Sequence, residues 1–455
     1  MMKLMAALLA VLLLALAPAR GQDLTPRAGP QAKPVCIINA TVHTVSGETI
    51  ENGYVYFVGG VIQALGREPL PRFREAPEFV DAKGLHVYPG MISAYTQLGI
   101  TEIGALRQPN DTNEFGQFAP EALAATALNP DSWLLPVTRV NGVLAAGVFP
   151  VGGLIPGRAS VIHLDGWTSE DLQVRRDAGV IVAWPLMRPV RARWSQTPEG
   201  EQLKNIKENV ERIRTFYERA VAYRALRQSD PATPVDLRYE AMIASLPPLP
   251  TEKREQSLTF FEASDYDQIV AAVAFAVEQR LRPVIVGGRD APLCADLLTK
   301  HDVPVIVNSV LLMPKRDDSP YDEVYSIPAR LQAAGVRFCI ASGEETPHER
   351  NLPYAAGMAA AHGLDHDAAI KAITLWPAEI LGVSTELGSL EVGKSATLIV
   401  TTGDPLEVTS QVVYAYIDGR AITLSTKQTE LAKKYREKYR QQGEHRGAAD
   451  PAPGR

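Results

Sequence analysis

The middle of this 455-residue chain alternates apolar, strand-like runs with helix-like segments, and this alternation constrains the fold more than any other feature. Apolar residues recur at helical spacing in Tyr266–Leu281 and again in 290–301. Alternating strands and helices predict parallel βα units, and near-continuous apolar strands predict a sheet buried on both faces. A TIM-like (β/α)8 barrel satisfies both conditions. A doubly wound open sheet is the alternative, but no G-x-G-x-x-G sequence follows a strand. The strand-like runs include VYPGMISAYTQ, GVLAAGVFPV, GVIVAWPL, RPVIVGG, VPVIVNSVLL and VRFCIASG.

Two segments rich in β-branched residues flank this middle part. Val35–Gly66 and Gly388–Leu424 are interrupted by turn sequences such as ENG and GG, which is typical of short antiparallel strands. We predict a small composite β-sandwich formed by the N- and C-terminal segments 34–88 and 385–425, around a barrel of 89–384. A charged helix and a Pro-rich connection predict an insertion at about 197–256 on the barrel's exterior. A basic helix and a disordered tail are expected over 426–455.

The first 21 residues have the pattern of a secretion signal. Lys3 precedes an apolar run from Leu4 to Ala17, and small residues follow, with cleavage expected after Ala17 or Gly21. The run is short for a membrane span, which needs about 20 residues. We therefore expect a linker at 22–33, no membrane contact after cleavage, and a periplasmic or extracellular location.

Composition excludes several classes of protein. The net charge is −6, and the basic residues do not alternate with aromatic ones, so nucleic acid is not an expected partner. Cys36, Cys294 and Cys339 lie in or beside apolar runs without a C-x-x-C pair, which predicts buried free thiols. No P-loop or G-x-S-x-G sequence is present, and a serine hydrolase is poorly supported.

Four separated segments resemble the amidohydrolase superfamily, most closely its exported, imidazolonepropionase-like branch. The resemblance implies the barrel and sandwich, hydrolysis of non-peptide carbon–nitrogen bonds such as those of cyclic amides, and a zinc or other divalent metal ion. The segments, in chain order, are INATVHTVSGETIENGYVYFVGGVIQALG, VDAKGLHVYPGMI, PVGGLIPGRASVIHLDGWTSEDL and RNLPYAAGMAAAHGLDHDAAIKAITLWPAEILGVSTELGSLEVGKSATLIVTTGDPL.

The metal positions implied by the resemblance depart from the family's pattern. The two first-strand histidines correspond to Tyr95 and Gln97, and the histidines of two later strands to Glu262 and to Gly287 or Gly288. The last-strand aspartate corresponds to Ser342 or Gly343. Phenol, amide and glycine are poor substitutes for imidazole on a transition metal. We therefore expect no cofactor.

Two functions remain open. The first is a weakly active or inactive hydrolase of the family class, with Glu262, Glu344 and His348 as candidate acid/base groups if they converge. The second is a non-catalytic binding protein, pairing as a homo-oligomer or with an intact amidohydrolase relative. Either would take a small-molecule ligand at the barrel mouth. The candidate binding residues are Arg139, Asn141, Arg289, Asn308 and Asn351.

Overall fold

The structure is a computed structural model that describes residues 27–104, 106–191, 196–308, 310–343 and 345–442. The chain divides into two units: Arg27–Leu424, and the two terminal segments Met1–Pro26 with Ser425–Arg455. The predicted secretion signal and the tail beyond residue 442 lie outside the described residues, as does Glu344.

One eight-stranded sheet combines both ends of the larger unit. Its order is β16-β15-β14-β5-β1-β2-β3, with β4 paired to β1. Strands β2 and β3 are joined by Gly59 and Gly60, both at positive φ, which suits the two-residue turn of a β-hairpin. The composite origin of the sheet agrees with the prediction, whereas a sandwich of two packed sheets is not confirmed. Its strands are β1 Val35–His43, β2 Thr49–Val58, β3 Val61–Arg67, β4 Glu78–Asp81, β5 His86–Pro89, β14 Leu398–Thr401, β15 Val412–Ile417 and β16 Arg420–Ala421.

The second eight-stranded sheet is the barrel, with its strands in chain order from β6 to β13. The mixed α/β fold is confirmed, but the regular (β/α)8 pattern is not: β8 pairs antiparallel with both β7 and β9, while the other neighbours pair in parallel. No helix lies between β7 and β8, and the chain returns directly as a strand after residues 149–157. The strands are β6 Met91–Thr96, β7 Val143–Val148, β8 Arg158–His163, β9 Gln173–Ala183, β10 Leu258–Ala263, β11 Arg282–Gly287, β12 Val305–Val307 and β13 Phe338–Ile340.

Residues 372 and 373 bridge the gap between the first and last barrel strands. The amide of Ile92 in β6 donates to the carbonyl of Ile373, and the amide of Ile340 in β13 donates to the carbonyl of Ala372, both at 2.8–2.9 Å. The barrel is therefore nearly closed. The helical segments on either side of this contact are separated at 372–374, and Pro377 sits in the first turn of the following helix, where no intrahelical donor is needed.

The helices lie largely in the connections between strands. The long helix α2, Glu199–Ser229, lies within the segment predicted as a charged insertion. Its apolar side packs through Phe216 against Phe118 at 4.7 Å between ring centroids and through Tyr217 against Phe275 at 5.3 Å. The larger unit contains α1 Leu134–Arg139, α2 Glu199–Ser229, α3 Leu237–Met242, α4 Tyr266–Glu278, α5 Ala295–Lys300, α6 Ile327–Ala333, α7 Leu352–Ala361, α8 His366–Lys371 and α9 Leu375–Ile380.

Helix α10, Lys427–Gln441, belongs to the second unit and lies in the segment where a basic helix is expected. It begins with a capping box in which Thr426 accepts from the amide of Thr429 and the Thr429 hydroxyl accepts in return. Within the described ranges, every helix is too short or too polar to span a bilayer.

The barrel interior is filled by apolar side chains rather than open. Strand alternation places Leu258 and Phe260 of β10 in the interior cluster, while Phe261 and Ala263 face the surrounding helices. The interior cluster also contains Ile92, Ala94, Ala145, Phe149, Ile181, Val284, Val286, Ile306, Cys339 and Ala341. Polar groups inside this barrel are consequently confined to the ends of the strands.

Candidate functional site at the carboxyl ends of the barrel strands

Tyr95 reaches the barrel interior because strand β6 contains an irregularity. Ser93 pairs with Ala146 and Thr96 with Val148, so β6 has one more residue than β7 over this stretch. Such a bulge shifts the alternation of side chains, and Ala94 and Tyr95 both contact the interior cluster. The bulge lies at the carboxyl end of the strand, which is the end where sites form in barrels of this kind.

Glu262 continues the inward alternation of β10 and meets Tyr95 at the barrel centre. The Tyr95 hydroxyl donates to Oε1 of Glu262 at 3.0 Å. Burial, followed by the neighbouring Glu262 charge, holds the pKa of Tyr95 well above its usual value. Burial also raises the pKa of Glu262, and the hydrogen bond from Tyr95 opposes that rise. Burial thus disfavours the ionised form of both groups, and one hydrogen bond links strands β6 and β10.

Aromatic rings fill the space beneath this pair. The Tyr95 ring lies 5.0 Å from that of Phe149, and Phe149 lies edge-on to Phe260 at 4.9 Å. These distances are those of favourable aromatic pairs, which contribute about 0.5–1.5 kcal/mol each beyond the burial of their area. Gln97 directly follows strand β6, and its buried amide nitrogen makes no hydrogen bond to a described residue.

A divalent metal of the kind expected from the resemblance does not fit these residues. The positions of Tyr95, Gln97, Glu262, Gly287 and Ser342 provide a phenol, an amide, one carboxylate, a glycine and a hydroxyl. A zinc site needs several imidazole, thiolate or carboxylate donors, and a phenol with a raised pKa stays protonated. Among the described residues, no three His, Cys, Asp or Glu side chains converge so that they could hold a metal ion.

Gly343 can only be glycine at its place in the structure. Its φ is +68°, and a Cβ built there would lie 1.6 Å from the carbonyl oxygen of Asn308. The end of β13 and the segment after β12 are thus in backbone contact, where a ligand-bearing side chain at position 343 would not fit. Asn308 itself is half-buried at this strand end.

Two of the three predicted acid/base residues, Glu262 and His348, lie in described parts of the structure. Glu262 is in the barrel, whereas His348 is exposed on the 3-10 helix Thr346–Asn351, and Glu344 lies outside the described residues. Asn351 is half-buried at the end of the same 3-10 helix. Glu349, which the sequence did not suggest, is buried on this helix and accepts from the Ser93 hydroxyl at 2.6 Å.

Arg139 and Asn141 are not at the barrel mouth, which corrects the prediction. Both precede β7 and so lie at the amino end of that strand. Arg139 is fully buried and donates to Oδ1 of Asp165 at 2.6 Å, and the Asn141 amide donates to the carbonyl of Arg350 at 2.6 Å. A fully buried, paired arginine contributes to the packing of the amino end, where it cannot contact a ligand from solvent.

A group of ion pairs borders the mouth at the ends of β10 and β11. Asp265 and Asp290 follow these strands, and both carboxylates are buried. Lys315 donates to Asp265 at 2.5 and 2.8 Å, Arg188 lies 3.1 Å from it, and Arg316 donates to Asp290 at 2.5 Å. We call these five residues the rim cluster. The three cations come from the loops after β9 and β12. In the sequence, only the adjacent Lys and Arg of the loop LLMPKRDD could have indicated a cationic group here.

A separate cavity of about 770 Å³ opens in the long loop between β6 and α1. None of the predicted site residues lines it. Its walls include Leu106, Arg107, Asn110, Asp111, Phe115 and Thr126.

The fold and its strand-end residues define a protein of the α/β-barrel class, and comparisons with known proteins narrow this class. The model of the amidohydrolase family matches residues 285–426. Amidohydrolase tasK of Hapsidospora irregularis is 22% identical over 442 residues, which covers 86% of this chain and 43% of that protein. This chain therefore spans less than half the length of its curated relative.

Solved structures share the fold over most of the chain. An amidohydrolase from Thermotoga maritima MSB8 superposes with a TM-score of 0.72 at 22% identity, covering 86% of this chain and 99% of the other. A prolidase complexed with N-methylphosphonate-L-proline has the same coverage, a TM-score of 0.51 and 16% identity. The chain is therefore similar to the amidohydrolase family in sequence over residues 285–426, and to a solved amidohydrolase in fold over 86% of its length.

Proposed function

We propose that this chain is a small-molecule-binding member of the amidohydrolase superfamily that has lost metal-assisted hydrolysis. The hydrogen bond of 3.0 Å between Tyr95 and Glu262 carries the proposal. It ties together two of the positions where the resemblance implies metal ligands, and the Phe149 ring packs against it. A neutral phenol and a carboxyl group that favours its proton attract a divalent cation weakly. We accordingly propose that no metal cofactor is bound.

A second candidate function is weak, metal-independent hydrolysis of a carbon–nitrogen bond such as that of a cyclic amide. The raised pKa of Glu262 favours it, because a carboxyl group with a raised pKa suits general acid–base catalysis near neutral pH. In this reading Glu262 would protonate the leaving nitrogen or activate a water molecule. Glu262→Gln would then abolish the activity, while the carboxamide would keep the size of the side chain.

Metal analysis of the purified mature protein, after incubation with zinc and removal of the excess, tests the first proposal. We expect well under one zinc ion per chain. About one tightly bound ion per chain would overturn the proposal, whatever the activity. The double variant Tyr95→His, Gln97→His should still bind no stoichiometric zinc, because the positions on later strands also lack donors.

Export and partners form part of the same proposal. The apolar run from Leu4 to Ala17 supports secretion, after which the chain would begin at Pro18 or Gln22. Amino-terminal sequencing of the protein recovered from the periplasm or medium tests this expectation, and an intact Met1 would contradict it. A binding role would also suit a homo-oligomer or a complex with an intact amidohydrolase relative, which light scattering of the pure and mixed proteins would detect.

A further inference from the structure

Arg289 differs from the rim-cluster cations because it forms no ion pair with any residue that the structure describes. It lies at the end of β11, immediately before Asp290, and its side chain is half-buried. Its Nε is fully shielded from solvent and makes no hydrogen bond, and no described residue forms an ion pair with its guanidinium. A partly desolvated guanidinium without an acceptor is costly unless something else supplies one.

The rim cluster cannot supply that acceptor, since its carboxylates are already engaged. Asp265 binds Lys315 and Arg188, while Asp290 accepts from Arg316 and from the amide of Tyr266 at 3.0 Å. Asp265 also closes a capping box at the start of α4. Through these ion pairs, the two carboxylates hold the loops after β9 and β12 against the ends of β10 and β11.

The cations of the rim cluster remain accessible, although their carboxylates do not. The side chains of Arg188 and Lys315 are 48% and 41% exposed, whereas those of Asp265 and Asp290 are 5% and 2% exposed. The N–H groups of each cation that do not bind an aspartate are thus available to solvent, while the paired carboxylate is buried. Together with Arg289, four cations from the loops after β9, β11 and β12 lie beside the buried Asp265 and Asp290 on the site-bearing side of the barrel, and Arg316 also lies 3.6 Å from Glu323.

We propose that the barrel mouth binds a carboxylate group, with Arg289 as its anchor and the cations of the rim cluster beside it. The planar guanidinium matches a carboxylate through two parallel N–H bonds, which gives geometric selectivity as well as attraction. This inference deepens the proposed function, since it names the chemical class of the small molecule. It does not depend on whether the barrel hydrolyses that molecule or holds a metal.

The decisive measurement compares a carboxylate with its neutral isostere. N-Acetylglycine and N-acetylglycinamide have the same shape and differ in charge at neutral pH. Titration of the full chain followed by NMR should show that the acid binds about tenfold more tightly, or better, than the amide. The preference should weaken with added salt, because exposed cations contribute to it. Equal affinities, or no saturable binding of the acid at about 10 mM, would overturn the proposal.

Variants of Arg289 separate this anchor from a general attraction by positive charge. Arg289→Met should remove the preference for the acid, while Arg289→Lys should keep part of it because the charge remains without the planar fork. Arg282→Met is the matched control: it removes an exposed arginine from the other end of the same strand and should leave binding unchanged. Unchanged selectivity in Arg289→Met, with the variant folded by circular dichroism, would refute the anchor role.

Two further comparisons are informative. The first identifies the kind of molecule that carries the carboxylate, and the second separates failure of the carboxylate site from failure of the proposed function. Trialanine and trialanine amide test a peptide C-terminus, and binding of N-acetylglycine alone would point to a small free acid. Stoichiometric zinc with retained acid selectivity would overturn the proposed function and leave the carboxylate site standing. Absence of zinc together with equal binding of acid and amide would overturn the carboxylate site and leave the proposed loss of the metal standing.

Discussion

Replacing Tyr95 by phenylalanine is the sharpest perturbation of the barrel centre. It removes one hydroxyl and leaves the ring, so the packing against Phe149 at 5.0 Å should persist. The lost interaction is the hydrogen bond of 3.0 Å to Oε1 of Glu262. Such a bond contributes about 1.5–3 kcal/mol when the acceptor is ionised and about 0.5–1.5 kcal/mol when both partners are neutral. The cost of the change should therefore depend on the charge of Glu262.

The direction of the pH dependence follows from the pKa of Glu262. Burial raises it, so the folded state holds a proton that the unfolded state has released, and this contribution to stability is lost as the pH rises through the folded-state pKa. The Tyr95 hydroxyl limits that loss by favouring the carboxylate. Without the hydroxyl the pKa of Glu262 should rise further, and the destabilisation of Tyr95→Phe should grow from about pH 5 to about pH 8.5.

Urea unfolding of the wild type and of Tyr95→Phe at the two pH values measures this change. Tyr56→Phe is the control, because it also removes a buried tyrosine's hydroxyl, one that makes no hydrogen bond to the described residues. Glu262→Gln should be no less stable than the wild type at the higher pH, since its neutral carboxamide can still accept from Tyr95. A penalty for Tyr95→Phe that is the same at both pH values would refute the reasoning, as would strong destabilisation by Glu262→Gln at the higher pH.

Three other measurements test separate parts of the structure. Gly343→Ala should prevent folding or destabilise by well over 4 kcal/mol, because its Cβ would overlap the carbonyl of Asn308. Gly335→Ala has nearly the same φ of +69° and open space around its Cβ, so thermal unfolding should show only about 1–2 kcal/mol of backbone strain there. The pKa of His43 falls from 6.5 to about 4, first through burial and then through the nearby His86, so the unfolded state should take up a proton as the pH falls through this range. Unfolding free energies should therefore fall by about 2–3 kcal/mol over that window in the wild type relative to His43→Phe, and equal slopes would contradict this. All three cysteines are buried, and burial raises the pKa of each thiol, so a disulfide reagent should label none in the native protein at pH 8 and all three in urea.

Most of the fold could be predicted because alternating apolar runs and helical patterns are local. The direction of β8 could not, since an apolar strand has the same pattern whether it runs parallel or antiparallel to its neighbours. That one reversal also explains the misplacement of Arg139. Asp165 follows β8, whose antiparallel course returns the chain to the amino end of β7, where the two charges meet at 2.6 Å. A partner 26 residues away is visible only once the pairing is known.

The candidate site was only partly predictable for a similar reason. The resemblance placed Tyr95 and Glu262 at the barrel centre, and their hydrogen bond agrees with that placement. The bulge in β6 and the backbone contact at Gly343 depend on tertiary pairing and leave no mark that a single sequence reveals. The rim cluster could be identified only from the structure. Its cations, Arg188, Lys315 and Arg316, lie in loops, and the sequence does not indicate where a loop side chain is placed in space.

The charge distribution at the mouth bears on which ligands could enter. A metal site in a barrel concentrates negative or lone-pair donors at the centre, and cations placed nearby would oppose ion binding. Here the centre holds a phenol and a carboxyl group whose pKa is raised, and the acids of the rim cluster are covered by Lys315, Arg188 and Arg316. Exposed cations therefore lie at the edge, next to the exposed Asp317 and Asp318, whereas Tyr95 and Glu262 at the centre are bonded to each other. Cations at the edge attract an anionic small molecule more than a divalent cation, which is the physical basis for proposing a binding role without a metal.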